Sequence, residues 1–187
     1  MKKLIIAAFV GAIIMFVWQT LSWAMLNLHH ANQEYTPKQD SILAYLSSEF
    51  HGDGSYLMPN SPPGTSMEEM QKQMAPKIGK PWAEIQYHES LDTSMGKNIG
   101  LGFFVDLIIL ILFSWILMAF GNSKFGTIFL ASLITGIIVF LNSPYTIHIW
   151  YPKRDIMIHL LDAIVSWGLC GLWLGWYLPR KRVQQAV

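Results

Sequence analysis

The sequence is poor in charged residues and nearly free of cysteine. Only 13% of its 187 residues are charged, and 52% are hydrophobic, whereas charged residues make up about 25% of an ordinary soluble domain. The net charge of +1 argues against a nucleic-acid surface, which would need clustered Lys and Arg. The single cysteine, Cys170, cannot form a disulfide within the chain. The sequence therefore does not predict an ordinary soluble domain, a nucleic-acid-binding protein or a disulfide-stapled domain.

Motifs for catalysis and nucleotide binding are also missing. The sequence contains no glycine-rich phosphate loop, no dinucleotide fingerprint and no nucleophile elbow. No spacing of Ser, His and Asp places a nucleophile beside a base. The sequence therefore favours a non-enzymatic protein, and it predicts no cofactor.

What the sequence does have is four long apolar runs. Each approaches or exceeds the roughly 20 residues that a helix needs to cross about 30 Å of hydrocarbon. The first run is longer than the core of a signal peptide, about 7–15 residues, so we expect a retained anchor. We expect an all-α integral membrane protein, a four-transmembrane-helix bundle in a lipid bilayer. The predicted membrane helices are 4–28, 100–121, 125–141 and 156–178.

Short loops rich in Lys and Arg predict the orientation, because such loops stay on the cytoplasmic side. Basic residues lie before the first run, between the second and third, and after the fourth: Lys2, Lys3, Lys124, Arg180, Lys181 and Arg182. The expected cytoplasmic segments are 1–3, 122–124 and the basic tail 179–187. The expected outer segments are 29–99 and 142–155, although Lys153 and Arg154 oppose the second assignment. The sequence thus predicts a multi-pass plasma (inner) membrane protein with both termini cytoplasmic.

The outer segment 29–99 is predicted to be a small α+β cap. Thr36 before Pro37 is typical of a helix N-cap, and Ser66 followed by Glu69 matches a capping box. Short strands are predicted at 55–58 and 82–88. At about 70 residues, a cap of this kind has marginal stability alone.

Seven polar side chains interrupt the apolar runs at a similar predicted depth. An aspartate at the centre of a membrane helix costs about 2.5–3.5 kcal/mol on insertion scales, so such residues face a bundle interior. Two interpretations remain open: the group only fixes helix packing, or Asp106, His159 and Asp162 form a proton- or metal-binding cluster. Haem ligation is not favoured, because His29 and His148 are predicted at or beyond the membrane rim. This polar layer consists of Gln19, Ser22, Asp106, Thr135, His159, Asp162 and Ser166.

A stripe of small residues marks the opposite face of the fourth run. Gly168, Gly171 and Gly175 share this face, which permits the close approach of another helix. That helix belongs either to this chain or to a partner. We therefore expect a membrane-protein partner, or a second copy of the chain, through the fourth helix.

Three methionines are candidate ligands for a Cu(I) ion. Met67, Met70 and Met74 are spaced along one predicted helix face. Thioethers suit Cu(I), but methionine at this spacing is also the ordinary apolar face of an amphipathic helix. The candidate metal ligands are Met67, Met70, Met74, His159 and Asp162.

These observations support three hypotheses about function. The first is an accessory or scaffolding subunit of a larger envelope complex in a bacterial plasma membrane. The second is a small transporter, or a module binding a ligand, proton or metal through Asp106, His159 and Asp162. The third is an extracytoplasmic Cu(I)-handling protein.

Overall fold

The structure is a computed structural model, and it describes residues 1–92, 94–119, 121 and 124–179. The chain divides into two compact units. We call Met1–Glu34 with Ser94–Val187 the helical unit, and Tyr35–Thr93 the small unit. The predicted basic tail residues Arg180, Lys181 and Arg182 lie outside the described residues, as does most of the predicted turn 122–124.

The described residues are mostly helical, with one small sheet. The elements in chain order are α1 (Lys2–Thr20), α2 (Gln39–Glu49), β1 (Gly54–Met58), α3 (Met67–Met74), β2 (Ala83–Tyr87), α4 (Met95–Ala119), α5 (Phe125–Phe140), α6 (Thr146–Trp150) and α7 (Ile156–Tyr177). A π-helical turn, Leu21–Met25, extends α1, and another, Leu141–Tyr145, joins α5 to α6. Four helical stretches are long and apolar enough to cross a membrane: Lys2–Met25, Met95–Ala119, Phe125–Trp150 and Ile156–Tyr177.

The four long helices pack in the order α4–α1–α7–α5. Small residues on α1 allow the close contacts on both of its sides. A Cβ added to Gly11 would lie 2.9 Å from Leu110 of α4, and the Ala7 carbonyl accepts a hydrogen bond from the Trp173 indole of α7 at 2.9 Å. Within the described residues, α4 and α5 do not pack along their lengths, although they are consecutive in the chain. The arrangement is a bundle with one open side.

The start of α1 and the end of α7 lie at the same end of this bundle. The Lys3 ammonium donates to the carbonyl oxygens of Leu178 and Pro179 at 3.2 and 3.4 Å. A cation near the last carbonyls of a helix stabilises its C-terminus. The first and last long helices are therefore antiparallel neighbours.

The third long helix is longer than its sequence predicted. The prediction that it ends at Leu141 and gives way to a loop at 142–155 was wrong, because helical structure continues to Trp150. Pro144 lies within this continuation, although proline lacks the N–H that an α-helix needs at such a position. The π-helical turn Leu141–Tyr145 accommodates this proline by widening the turn in which it lies.

Two other helix ends also differ from the predicted ones. The first long helix ends at Met25 instead of Leu28, because Asn27 adopts the left-handed conformation with φ of 53°. The Leu28 N–H then donates a hydrogen bond to the Ser22 carbonyl at 3.1 Å. The second long helix begins at Met95, five residues before the predicted start.

The small unit contains an antiparallel two-stranded sheet. Its register pairs Gly54 with Tyr87 and Met58 with Ala83. In β2, Ala83, Ile85 and Tyr87 are the more buried residues, and the residues between them are exposed. This alternation places one face of the hairpin against the rest of the small unit.

One of the two predicted caps in the small unit is present. Ser66 and Glu69 form the capping box at the start of α3. The Thr36 prediction was wrong, because α2 begins only at Gln39. The Thr36 hydroxyl instead accepts the Lys38 N–H at 3.3 Å within a local turn before the helix.

Candidate functional site

A cavity of about 560 Å³ lies inside the helical unit, and all four long helices contribute to its lining. We call it the helical cavity. Most of the polar layer predicted from the sequence lines it, and Ser22 is buried but not among the lining residues. The lining members of the layer are Gln19, Asp106, Thr135, His159, Asp162 and Ser166.

The rest of the cavity wall is apolar and rich in aromatic rings. Its aromatic members are Trp18, Trp23, Phe113, Phe140 and Trp167. Small-molecule sites typically have volumes of about 300–1,000 Å³ and apolar walls with a few polar groups that fix orientation. The helical cavity has this size and this composition.

Both carboxylate oxygens of Asp162 are hydrogen-bonded. The Trp18 indole N–H donates to Oδ1 at 3.0 Å, and Oδ2 lies 2.8 Å from Nε2 of His29. These contacts join α7 to α1 and to the segment that follows α1. Asp162 therefore has the partners that a partly buried carboxylate requires.

Among the described residues, Asp106 of α4 has a hydrogen-bond partner for only one of its two carboxylate oxygens. Its Oδ1 accepts the Gln19 amide N–H at 3.1 Å, and the side chain is 2% exposed. Its Oδ2 is buried with no hydrogen-bond partner among the described residues. Leaving a buried acceptor unsatisfied costs about 1–3 kcal/mol, and more for a charged group. Asp106 is thus a carboxyl group that still lacks a donor or a cation.

Two other lining residues bond to their own helices. The Thr135 hydroxyl donates to the Ala131 carbonyl at 2.8 Å, and the Ser166 hydroxyl donates to the Asp162 carbonyl. Such bonds to the preceding helical turn satisfy a hydroxyl without a partner helix. The donors that reach carboxylates across helices are instead Trp18, Gln19 and His29.

His29, which was predicted at or beyond the membrane rim and not as part of the polar layer, contacts both Asp155 and Asp162. Its ring is 1% exposed, and its Nδ1 lies 3.0 Å from Oδ2 of Asp155 while Nε2 faces Asp162. The Trp23 ring stacks on it with centroids 3.8 Å apart. The left-handed Asn27 turns the chain back just before this histidine. Asn27 after an apolar run was the signal that could have indicated this turn.

Asp155 completes the cluster one residue before α7. Its Oδ2 lies 3.3 Å from Nε2 of His159, in addition to its contact with His29. Burial acts to raise the pKa of the Asp155 carboxyl, but the hydrogen bond to His29 and the nearby His159 together hold that pKa below its ordinary value. Asp155 is therefore an ionised hydrogen-bond acceptor near neutral pH.

The glycine stripe packs against α5 of the same chain. A Cβ added at Gly171 would lie 2.8 Å from Cβ of Ser132, and one at Gly175 would lie 2.9 Å from the Phe125 ring. Gly168 is less tight, with its nearest atom on Leu133 at 3.4 Å. The face expected to accept a partner protein is thus covered within the chain.

The three methionines of α3 differ in exposure. Met67 is 71% exposed, and Met70 and Met74 are partly buried. Partly buried methionines on one side of a capped, eight-residue helix are typical of an amphipathic helix. They do not line the helical cavity.

Comparison of the chain with models of known protein families, with characterised proteins and with solved structures gives no match.

Proposed function

We propose that this chain is a multi-pass membrane protein whose helical cavity binds a small amphiphilic cation. The observation that carries the proposal is Asp106, a carboxyl group in the cavity wall whose Oδ2 is buried without a partner among the described residues. A cationic ligand would supply the missing charge. The apolar wall would accept the remainder of the ligand.

The aromatic lining supports a cation more than an anion. Aromatic faces carry partial negative charge and attract quaternary and alkyl ammonium groups. Trp18 and Trp23 lie in the same wall as Asp106 and Asp162. Carboxylates and ring faces together would repel an anionic ligand and favour a positively charged one.

The surface of the helical unit supports membrane insertion. Large apolar side chains point outward on each long helix, including Val17 at 49%, Leu112 at 58%, Ile138 at 57% and Met157 at 66% exposure. Contiguous exposed apolar surface is rare on monomeric soluble proteins. Lipid would cover these side chains.

The orientation in the membrane is part of the proposal. Basic residues in short loops favour a cytoplasmic N-terminus and C-terminus, with residues 29–99 outside the cell membrane. The Lys3–Leu178 contact supports an even number of crossings. Protease added to intact spheroplasts should then cut within 60–64 of the small unit and spare the basic tail. Cleavage of the tail with protection of 60–64 would overturn this orientation.

An accessory subunit of an envelope complex is the less supported alternative. The glycine stripe on α7 is the sequence feature that favoured this alternative, as a docking face for a partner. Because α5 covers Gly171 and Gly175, such a subunit would need a different surface. Ligand binding in the helical cavity does not require the glycine face of α7, which already packs against α5.

Benzyltrimethylammonium is a suitable probe, because it joins an aromatic ring to a permanent positive charge. Its binding to purified full-length protein in nanodiscs would be followed by tryptophan fluorescence, since Trp18 and Trp23 line the cavity. We expect saturable binding that weakens about tenfold or more in Asp106→Asn, because a charge-assisted contact contributes about 1.5–3 kcal/mol.

The matched control is Asp53→Asn, which removes an exposed carboxyl group from the small unit. It should leave the affinity for benzyltrimethylammonium unchanged. Equal affinity in the wild type and Asp106→Asn, or an absence of saturable binding, would overturn the cavity proposal.

A further inference from the structure

A second site lies where α7 begins, and it uses three side chains from two distant parts of the chain. His29, Asp155 and His159 each offer one ligand atom, and these atoms all lie within 4.8 Å of one another. Asp155 Oδ2 is close to both histidines, at 3.0 Å from His29 Nδ1 and 3.3 Å from His159 Nε2. Two imidazole nitrogens and one carboxylate oxygen thus form a compact group of possible metal ligands.

The two separations from Asp155 Oδ2 fit the spacing of ligands around one metal ion. Zinc binds nitrogen and oxygen ligands at about 2.0–2.2 Å in tetrahedral geometry, which places neighbouring ligand atoms about 3.3 Å apart. The Asp155–His159 pair also has the right backbone for a shared ligand site, because residues four apart lie on one face of a helix. Small side-chain adjustments would bring all three atoms to one ion.

His29 is fixed in the orientation that a metal ligand needs. Its Nε2 lies 2.8 Å from Asp162 Oδ2, while Trp23 stacks on the ring. Metal-ligating histidines usually donate their other N–H to a carboxylate, which fixes the ring and its tautomer. The second oxygen of Asp162 is in turn held by the Trp18 indole. Nδ1 of His29 is therefore left to face Asp155 and His159.

We propose that His29, Asp155 and His159 bind one divalent metal ion of the Zn²⁺ class, with Asp162 holding His29 from behind. Two imidazoles with one carboxylate suit borderline ions such as Zn²⁺ and Co²⁺. Ca²⁺ and Mg²⁺ are expected to bind poorly, since they prefer sets of oxygen ligands. Three protein ligands leave a fourth coordination position for water or another small molecule. The set contains none of the methionines on α3.

This site is distinct from the cation position proposed at Asp106. His159 and Asp162 also line the helical cavity, but Asp106 is bonded to Gln19 and belongs to α4. Asp106→Asn should therefore weaken benzyltrimethylammonium binding and leave metal binding unchanged. Variants of Asp155 should weaken metal binding and leave benzyltrimethylammonium binding unchanged, because Asp155 is not among the cavity-lining residues.

The test uses tag-free, full-length protein in nanodiscs, freed of metal by chelation and titrated with Zn²⁺ by calorimetry. We expect one Zn²⁺ per chain in the wild type. His159→Gln and Asp155→Asn should each weaken binding more than Asp162→Asn, whose loss should be about tenfold to a hundredfold, the usual effect of removing a supporting carboxylate. The two ligand variants change partly exposed side chains, so they should disturb the fold less than a substitution of the buried His29 itself.

His30→Gln is the matched control, because His30 is the exposed neighbour of His29 and bonds only locally to Gln33. It should bind Zn²⁺ like the wild type. Co²⁺ should give the intense visible absorption of a four-coordinate site, and His159→Gln should remove that absorption. Zn²⁺ binding unchanged in both ligand variants, or the absence of stoichiometric binding, would overturn the proposal.

Discussion

The two units of this chain handle polar side chains in opposite ways. In the helical unit, several polar groups are buried or partly buried, and those of the cluster are joined by contacts that are distant in sequence: Trp18 and Asp162 are 144 positions apart, and His29 and Asp162 are 133. In the small unit most polar groups are exposed, and several of their bonds stay within one turn, as in the Ser66–Glu69 capping box. Losing a contact should therefore be costly in the first unit and cheap in the second.

The largest effect is expected from Gly171→Leu in the α5–α7 interface. Even a Cβ at this position would lie 2.8 Å from Ser132, so a leucine must separate the two helices. Overpacking a well-packed interior costs about 1–3 kcal/mol, and this substitution should reach the upper end. The apparent midpoint of thermal unfolding, followed by tryptophan fluorescence in nanodiscs, should fall accordingly.

Gly168→Ala is the control for this prediction, because an added Cβ there meets Leu133 only at 3.4 Å. It should leave the unfolding midpoint nearly unchanged. If Gly171→Leu unfolded like the wild type and altered only the oligomeric state, the glycine stripe would be an interface between chains.

A smaller loss of stability is expected from Asp162→Asn, and Asp106→Asn should differ from it. Asp162→Asn removes a charged acceptor from His29, which should cost about 1.5–3 kcal/mol. Asp106→Asn should cost far less, because Oδ1 can still accept from Gln19 and Oδ2 has no partner to lose among the described residues. Thermal unfolding of both variants side by side measures the difference. Equal destabilisation would show that Asp106 is also paired.

In the small unit, Ser66→Ala should cost about 1 kcal/mol, the usual effect of losing an N-cap. The loss should be confined to α3, because among the residues that the structure describes the Ser66 hydroxyl bonds only to Glu69. Hydrogen exchange of the α3 amides should quicken, and exchange in α1 and α7 should not change. Ser90→Ala, at an exposed serine outside any helix, serves as the control. Faster exchange in the helical unit would contradict the expectation that the effect is confined to α3.

The smallest effect concerns Asp53, which lies next to β1. Its carboxylate accepts the Glu89 backbone N–H at 2.9 Å and lies 3.3 Å from the His88 ring, and these hydrogen bonds lower its pKa from the ordinary value of 3.8. A lowered pKa stabilises the folded state above pH 3.8, and this contribution disappears as the pH falls through the folded pKa. The Glu89 amide resonance should therefore titrate with a midpoint below 3.8. A midpoint at or above 3.8 would mean that these bonds are absent in solution.

Much of the helical fold could be predicted because length and hydropathy alone specify it. Runs of about 20 apolar residues leave few choices other than helices, and the four runs are the four long helices of the structure. The helix ends were predicted less well. Pro144 has the same sequence signature whether it stops a helix or lies in a π-helical turn, and only packing distinguishes these outcomes.

The candidate site could be predicted only in part. Asp106, His159 and Asp162 were identifiable because ionisable residues inside apolar runs are rare. His29 and Asp155 were missed because both lie outside those runs, where polar residues are common. Their contact depends on a left-handed Asn27 and on the pairing of α1 with α7, and sequence periodicity contains neither.

The pairing of α1 with α7 also has a consequence for biosynthesis. The ribosome makes α1 before α7, so Trp18 and His29 are synthesised 144 and 133 residues before their partner Asp162. Long-range contacts of this kind form late, and incomplete chains expose the groups that will make them. A nascent chain that ends before residue 155 contains the Trp18 indole and the His29 imidazole without the carboxylates that contact them in the complete fold. The buried contacts of Trp18 and His29 are therefore completed only after α7 has been synthesised.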